Sequence, residues 1–111
     1  MEQVIIVMTH LPDAATAEAL ASALVETRLA ACASFTLAGV QSVYRWQGKI
    51  ETVNEVTLTI KTAQRHYVAL EAAIRAAHPY ELPEIIALPV VAGHSPYLQW
   101  ILAETSPEQH A

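Results

Sequence analysis

Residues 78–84, with the sequence HPYELPE, concentrate side chains that can do chemistry. His78 supplies an imidazole, Tyr80 a phenol, and Glu81 and Glu84 two carboxylates, all within seven residues. The two prolines of this segment fix their own backbone angles and restrict the residues before them, so the side chains are held in definite directions. Such rigidity indicates side chains aimed at a metal ion, a small ligand or a neighbouring subunit.

A second group of chemically capable side chains lies in residues 44–50, with the sequence YRWQGKI. Two strand-like halves meet there at a Gln-Gly turn, and aromatic and basic groups gather near its tip. Tyr44 and Trp46, together with Tyr80 and Trp100, could line a ligand pocket. Amphipathic aromatic residues also anchor protein interfaces, and we favour that interpretation here.

Length and composition predict one domain with an unusually apolar surface. The chain has 111 residues, and we expect a single domain over 1–111 with an ordered core of about 3–104. Apolar residues make up 53% and charged residues 15%, against an ordinary charged share of about 25%. The apolar runs are far shorter than the ~20 residues of a membrane helix, so we expect no membrane span. The apolar excess therefore favours a subunit interface.

Charge and cysteine content exclude further classes. The net charge of −5, from 11 acidic and 6 basic residues, argues against nucleic acid as a partner, because phosphate binding needs clustered Lys and Arg. The start of the sequence lacks the basic region of a signal peptide. Cys32, the single cysteine, excludes an internal disulfide and predicts a cytoplasmic location, and its alanine neighbours predict a buried, inert thiol.

Hydrophobic periodicity predicts the first half of the fold. Residues 3–8 form a continuous apolar run rich in β-branched side chains, which is typical of a central strand covered on both faces. A helix should run from Asp13, its N-cap, to about Ala31. Residues 33–46, with a bulge or bend expected at Gly39, and residues 49–61 then form two long strands of a hairpin. Because both exceed the usual ~5 to 6 residues, the hairpin should project beyond the sheet and offer backbone to another chain.

The second half continues the same alternation of elements. A helix is predicted over residues 64–77, followed by a strand over 84–91 in which Pro89 indicates an edge position or a bulge. Ser95 should cap a short amphipathic C-terminal helix, and residues 105–111 should fray. The order is therefore βαββαβ plus a terminal helix, an α+β ferredoxin-like fold. One face of its sheet is left for another covering, because the two helices between strands occupy the other.

Five motifs in register carry a family resemblance. From about Val4 to Ile101 the chain resembles the CutA family of divalent-cation tolerance proteins. The motifs are RLAAC (28–32), YRWQGKI (44–50), IKT (60–62), HPYELPEII (78–86) and YLQW (97–100). The resemblance implies a cytoplasmic homotrimer of ferredoxin-like subunits, similar in architecture to the P-II signalling proteins. It also implies binding of copper or another divalent cation, and no established catalytic reaction.

The resemblance transfers a metal site only in part. Some members of the family are ascribed a copper site made by a cysteine at the end of the first strand and two adjacent histidines before the Pro-Tyr. Here Met8 takes the place of the cysteine and Ala77 that of the first histidine, so His78 alone matches. A replacement set of Met8, His10 and His78 is conceivable, because a thioether is a soft ligand for Cu(I).

The same residues also have structural interpretations. His78 could cap the preceding helix, where a donor meets free carbonyl groups. Glu81 and Glu84 cannot share a helical face, because the neighbouring prolines prevent a helix. They would then hold a subunit contact with a basic partner, which would be Lys61, Lys49 or Arg45.

Three functional classes follow from these features. The first is metal-ion binding, for which the order of affinities favours Cu2+. The second is a P-II-like sensor that binds a small anionic ligand in the inter-subunit cleft between the hairpin tip and residues 78–84. Its charge partners would be Lys61, Arg45 and Lys49, and its walls Trp46, Tyr80 and Trp100. The third, an enzyme, is not expected, because the sequence shows no nucleophile with a recognisable base.

Overall fold

The structure, a computed structural model, describes residues 2–107. Five strands and three α-helices occur in this part of the chain. In order they are β1 (Val4–Leu11), α1 (Ala14–Glu26), β2 (Cys32–Phe35), β3 (Val40–Trp46), β4 (Lys49–Ala63), a 3-10 turn (Gln64–His66), α2 (Tyr67–Ala77), β5 (Ile85–Pro89) and α3 (Ser95–Glu104).

The strands form one antiparallel sheet in the order β2-β4-β1-β5, with β3 paired to the other half of β4. β1 lies between β4 and β5, which confirms the predicted central position of the first strand. β5 is at the edge, where Pro89 costs no hydrogen bond on the open side. The α+β ferredoxin-like arrangement with a long hairpin and a C-terminal helix is therefore confirmed.

The hairpin of β3 and β4 extends past the end of β1. Residues 56–63 of β4 pair with β1, whereas residues 49–55 pair only with β3 among the described strands. The projecting ribbon makes the subunit elongated, with extents of 47 × 27 × 25 Å. Gln47 and Gly48 form its turn with φ angles of 49° and 82°. Two positive φ angles are typical of the hairpin turn whose twist matches that of the flanking strands.

The core lies between one face of the sheet and helices α1 and α2. Alternate residues of the central strands point into it, because successive side chains of a strand face opposite sides. Fully buried side chains of this core are Val7, Leu11, Leu24, Leu58, Ile60, Leu70 and Ile74. α3 covers a smaller cluster in which Ile101 packs with Val4 and Ala31.

On the opposite face of the sheet, α3 covers the end near Val4, and α1 and α2 leave the rest without such a cover among residues 2–107. The strand register places Met8 beside Thr59 on one side and Ile86 on the other, on the face away from α1 and α2. Ile86 and Leu88 on that face are 48% and 47% exposed. This agrees with the expectation that a second apolar face remains for another covering.

The first helix is shorter than predicted, ending at Glu26 rather than near Ala31. Arg28 has a φ of 62°, a left-handed conformation that ends a helix. The amides of Leu29 and Ala30 both donate to the carbonyl of Leu24, which turns the chain back towards the sheet. Ala30 and Ala31, which were predicted to end the helix, instead lead into β2. Its first residue, Cys32, is half-buried rather than buried as predicted.

Thr105, which was predicted to fray, is held in place by contacts with α3 and His66. Thr105 is fully buried, and its hydroxyl donates to the carbonyl of Ile101 at 2.9 Å. His66 Nε2 donates to the Thr105 carbonyl at 2.6 Å. The prediction that the chain frays from residue 105 is therefore wrong for Thr105. Residues 108–111 lie outside the part of the chain that the structure describes. Within residues 2–107, none of the helices combines the length and the apolar character that crossing a membrane requires.

Candidate functional site

A cavity of about 580 Å³ opens between the hairpin and the segment that follows α2. Residues at the end of β1 and in the middle of β4 complete its wall. The lining residues are His10, Ser42, Val43, Tyr44, Trp46, Glu55, Tyr80, Glu81, Leu82 and Glu84.

Strand alternation brings the strand residues of the cavity together. Ser42, Tyr44 and Trp46 occupy alternate positions of β3 and therefore share one face. The pairing of β3 with β4 and of β4 with β1 puts Glu55 and His10 on that same face. The rigid Pro-flanked segment then closes the cavity from the other side with Tyr80, Glu81 and Glu84.

Glu55 is the buried anionic group of the cavity, with only 6% of its surface exposed. Its Oε1 atom lies 3.3 Å from His10 Nδ1, which lies 3.9 Å from Glu84 Oε1. Burial by itself raises the pKa of Glu55, but hydrogen bonds from Ser42, Tyr80 and His10, with the charge of His10, outweigh it and leave the pKa below its usual value. Glu55 is thus a fixed negative charge at neutral pH.

Tyr80 is the hydroxyl donor that faces this carboxylate. Burial, followed by the hydrogen bond to Glu55 and the negative charge of Glu55, raises the pKa of Tyr80 to about 12. The phenol therefore keeps its proton under all ordinary conditions, which suits a structural donor and not a catalytic base.

His78 supports the cavity from behind and does not line it. It is the C-cap residue of α2 and only 8% exposed. Its Nε2 lies 2.6 Å from the carbonyl oxygen of His10, and its Nδ1 accepts the amide of Tyr80 at 3.2 Å. These partners assign the neutral tautomer with the proton on Nε2, because a carbonyl only accepts and an amide only donates. The ring therefore ties the end of α2 to the cavity residues, while the backbone amide of His78 caps the helix by donating to the Ile74 carbonyl at 2.9 Å.

The structure does not gather the proposed metal set of Met8, His10 and His78 in one cavity. His10 lines the cavity, whereas His78 uses both ring nitrogens in hydrogen bonds to the backbone. Met8 lies on β1 between Thr59 and Ile86 and is not among the lining residues. Among residues 2–107 no group of three His, Cys, Asp or Glu side chains is already arranged to hold a metal ion. The replacement metal set stays a prediction.

Five of the eight predicted cleft residues do meet in the cavity: Tyr44, Trp46, Tyr80, Glu81 and Glu84. Lys49, Lys61 and Trp100 are not part of its lining. Lys61 Nζ instead lies 5.9 Å from the ring centroid of Tyr97, which stacks on Trp100 at 5.7 Å. These residues form a separate aromatic and basic group near the far end of β4, where Cys32 Sγ lies 3.7 Å from the Tyr97 hydroxyl.

Sequence reasoning missed Glu55 and Ser42. Glu55 is one of several polar residues on one face of the predicted strand 49–61, and nothing in the sequence distinguishes it from its neighbours. Its importance comes from pairing with His10, 45 residues away in the chain. Only the register of three strands reveals that contact. The predicted subunit contacts of Glu81 and Glu84 concern other chains and stay a prediction.

Comparison with known proteins identifies the family. A family model described as CutA1 divalent ion tolerance protein matches residues 5–104. The divalent-cation tolerance protein CutA of Pectobacterium atrosepticum is 43% identical over 99 residues, 89% of each chain. The same-named protein of Thermus thermophilus is 40% identical over 105 residues, 95% of this chain and 99% of the relative. The crystal structure of CutA from Xylella fastidiosa matches with a TM-score of 0.89 at 45% identity, covering 93% of this chain and 98% of that one. The chain therefore belongs to the CutA1 divalent ion tolerance family.

Proposed function

We propose that this protein binds a divalent cation, with Cu2+ favoured, in the cavity beside the hairpin and that it acts by binding and not by catalysis. The observation that carries the proposal is the approach of two carboxylates, Glu55 and Glu84, to the same nitrogen of His10. Glu81 adds a third carboxylate, and no Lys or Arg of the described chain lines the cavity. An anionic concave surface of this kind attracts cations. Membership of a divalent ion tolerance family supports the same ligand class.

Three side chains would hold the ion. An imidazole with two carboxylates suits Cu, Zn or Ni, and the order of divalent affinities places Cu2+ first. His10 Nδ1 donates a hydrogen bond to Glu55, so this nitrogen must give up its proton before it can ligate the ion. Glu84 Oε1 lies 3.9 Å from the same nitrogen and must move closer for both atoms to reach one ion. A doubly protonated imidazole cannot ligate a metal ion, so metal uptake should weaken as the pH falls.

The binding form is proposed to be a homotrimer in the cytoplasm. Its support is the half-exposed apolar face of the sheet, with Ile86 and Leu88, and the apolar side chains of the projecting hairpin, with Val43 67% and Ile50 61% exposed. Large exposed apolar patches mark protein interfaces. Sedimentation equilibrium tests this state, and a mass three times that of the chain is expected. A stable monomer at micromolar concentration would contradict it.

The metal proposal is tested by titrating metal-free protein with Cu2+ in a calorimeter. We expect His10→Ala and Glu84→Gln each to weaken uptake at least about tenfold, because each removes a ligand. His94→Ala is the matched control, since His94 is exposed and outside the cavity. Equal affinities of wild type, His10→Ala and Glu84→Gln would refute the site.

A P-II-like sensor of anions gains no support from this cavity. None of the predicted charge partners Lys49, Lys61 and Arg45 lines it, and an anion would face three carboxylates. Coulomb repulsion of that kind opposes binding. The sensor interpretation stays a prediction for surfaces that form between subunits.

A further inference from the structure

Lys61 carries a half-buried positive charge that has no carboxylate beside it. Its ammonium group forms no ion pair with the carboxylates of residues 2–107. The group that faces it is the ring of Tyr97, whose centroid lies 5.9 Å from Nζ. A ring attracts a cation, but it does not replace the hydrogen bonds and the opposite charge that a carboxylate provides. The single subunit therefore leaves this charge open to an acidic partner.

The surroundings of Lys61 have the composition of a protein interface. Tyr97 and Trp100, which stack on each other, are 39% and 43% exposed. The strand register pairs Lys61 with Ile6 and Ile6 with Leu88, so the charge lies on the sheet face that carries the half-exposed Leu88. Aromatic rings at the margin of an apolar face are typical anchors of a contact between proteins. We call Lys61, Tyr97 and Trp100 the basic aromatic patch.

The rim of the cavity carries a surface of complementary composition. Glu81 is exposed and forms no ion pair within the described part of the chain, and the adjacent Leu82 is 71% exposed. A carboxylate beside an exposed apolar side chain matches an ammonium group beside exposed rings. The two surfaces do not meet within one subunit. Glu81 lines the cavity with Glu55, whereas Lys61 lies roughly 20 Å farther along β4 at about 3.3 Å per residue.

We propose that the basic aromatic patch of one subunit binds the Glu81-Leu82 rim of a second copy of this chain, with Lys61 paired to the partner subunit's Glu81. With a net charge of −5, two copies repel each other over most approaches, and an unpaired ammonium group is where an acidic segment is attracted. Because the contact joins two different surfaces, identical contacts continue from copy to copy and can close into a ring. The inference rests on the proposed homotrimer, which is such a ring, and does not depend on the metal site. It brings Lys61 and Trp100 to the rim of a neighbouring cavity, so that the cleft there contains residues of two subunits.

Charge reversal tests this contact. We would compare the full chain as wild type, Lys61→Glu, Glu81→Lys and the double variant by sedimentation equilibrium in a fixed, subdenaturing concentration of urea. Each single variant sets like charges against each other and should raise the protein concentration of half-assembly at least about tenfold. The double variant restores an opposite pair and should recover most of that loss. Lys49→Glu is the matched control, because Lys49 is exposed beside the hairpin turn, and it should assemble as wild type does.

The double variant also separates a contact from a merely structural role of Lys61. If Lys61→Glu disturbed only the fold of its own subunit, adding Glu81→Lys would not restore assembly, and that result would overturn the inference. Assembly of Lys61→Glu at wild-type concentrations would overturn it as well, while the homotrimer proposal would stand. A wild type that remains monomeric would overturn both. None of these outcomes bears on Cu2+ uptake, which is measured separately.

Discussion

The role of His78 can be decided by replacing it. Its ring makes two hydrogen bonds, to the His10 carbonyl and from the Tyr80 amide, and lies 4.8 Å from the Tyr80 ring. Each hydrogen bond contributes about 1 kcal/mol net, and the ring contact adds about 1 kcal/mol. His78→Ala should therefore lower the free energy of unfolding by about 3 kcal/mol per subunit. The effect is large because the two backbone groups are left without partners beside a buried position.

Two conservative variants separate the contributions of the two hydrogen bonds. In His78→Asn the new amide oxygen can take the place of Nδ1 and accept from Tyr80, whereas in His78→Gln the new amide nitrogen can lie near the position of Nε2 and donate to His10. Each should recover about 1 kcal/mol of the loss. Guanidinium unfolding at equal protein concentrations measures all four proteins, since oligomer stability depends on concentration.

The reasoning also predicts what His78 does not do. Because both of its nitrogens are occupied, His78→Asn should bind Cu2+ with wild-type affinity as long as it is folded. Two results would refute the structural role. One is an unfolding free energy of His78→Ala within about 0.5 kcal/mol of wild type. The other is complete loss of Cu2+ uptake in a folded His78→Asn protein, which would make His78 a ligand.

Three further predictions test the local energetics. The lowered pKa of Glu55 stabilises the folded state above its ordinary value of 4.5, and this contribution is lost as the pH falls through the folded pKa, so acid unfolding should be steeper in wild type than in Glu55→Gln. At the hairpin turn Gln47→Asn should raise the thermal midpoint slightly, and Gly48→Ala should lower the free energy of unfolding by about 1 kcal/mol because of its φ of 82°. Thr9→Val should raise the free energy of unfolding by about 1 kcal/mol, measured in guanidinium, because the buried Thr9 hydroxyl has no partner among the described residues.

Local patterns predicted most of the elements, but the strand predicted over 33–46 is divided in the structure into β2 and β3, on either side of the bend expected at Gly39. The apolar run at the start is a strand because β-branched side chains suit the pleated surface of a sheet. Asp13 caps α1 as expected, accepting the amide of Thr16 at 2.8 Å. The end of α1 was placed wrongly, because continuous alanine favours a helix and nothing local announces that Arg28 adopts a positive φ.

The candidate site was predictable only where it lies within one segment. Tyr44 with Trp46, and Tyr80 with Glu81 and Glu84, were recognised because each group is contiguous in sequence. Lys61 was grouped with them, although within the subunit it lies at the other end of the 15-residue strand β4. At about 3.3 Å per residue, a long strand carries its two ends to different parts of the molecule.

The sequence alone determined the element order, the hairpin, the turn and the family, because these depend on periodicity and on motifs that neighbouring residues express together. Only the tertiary structure decided that Glu55 meets His10 and that His78 binds backbone on both sides. Those contacts join strands and loops separated by 45 and 68 residues, and their geometry is set by strand register and by the packing of α2 on the sheet. A shift of one residue in that register would turn Glu55 to the other face and dismantle the cavity.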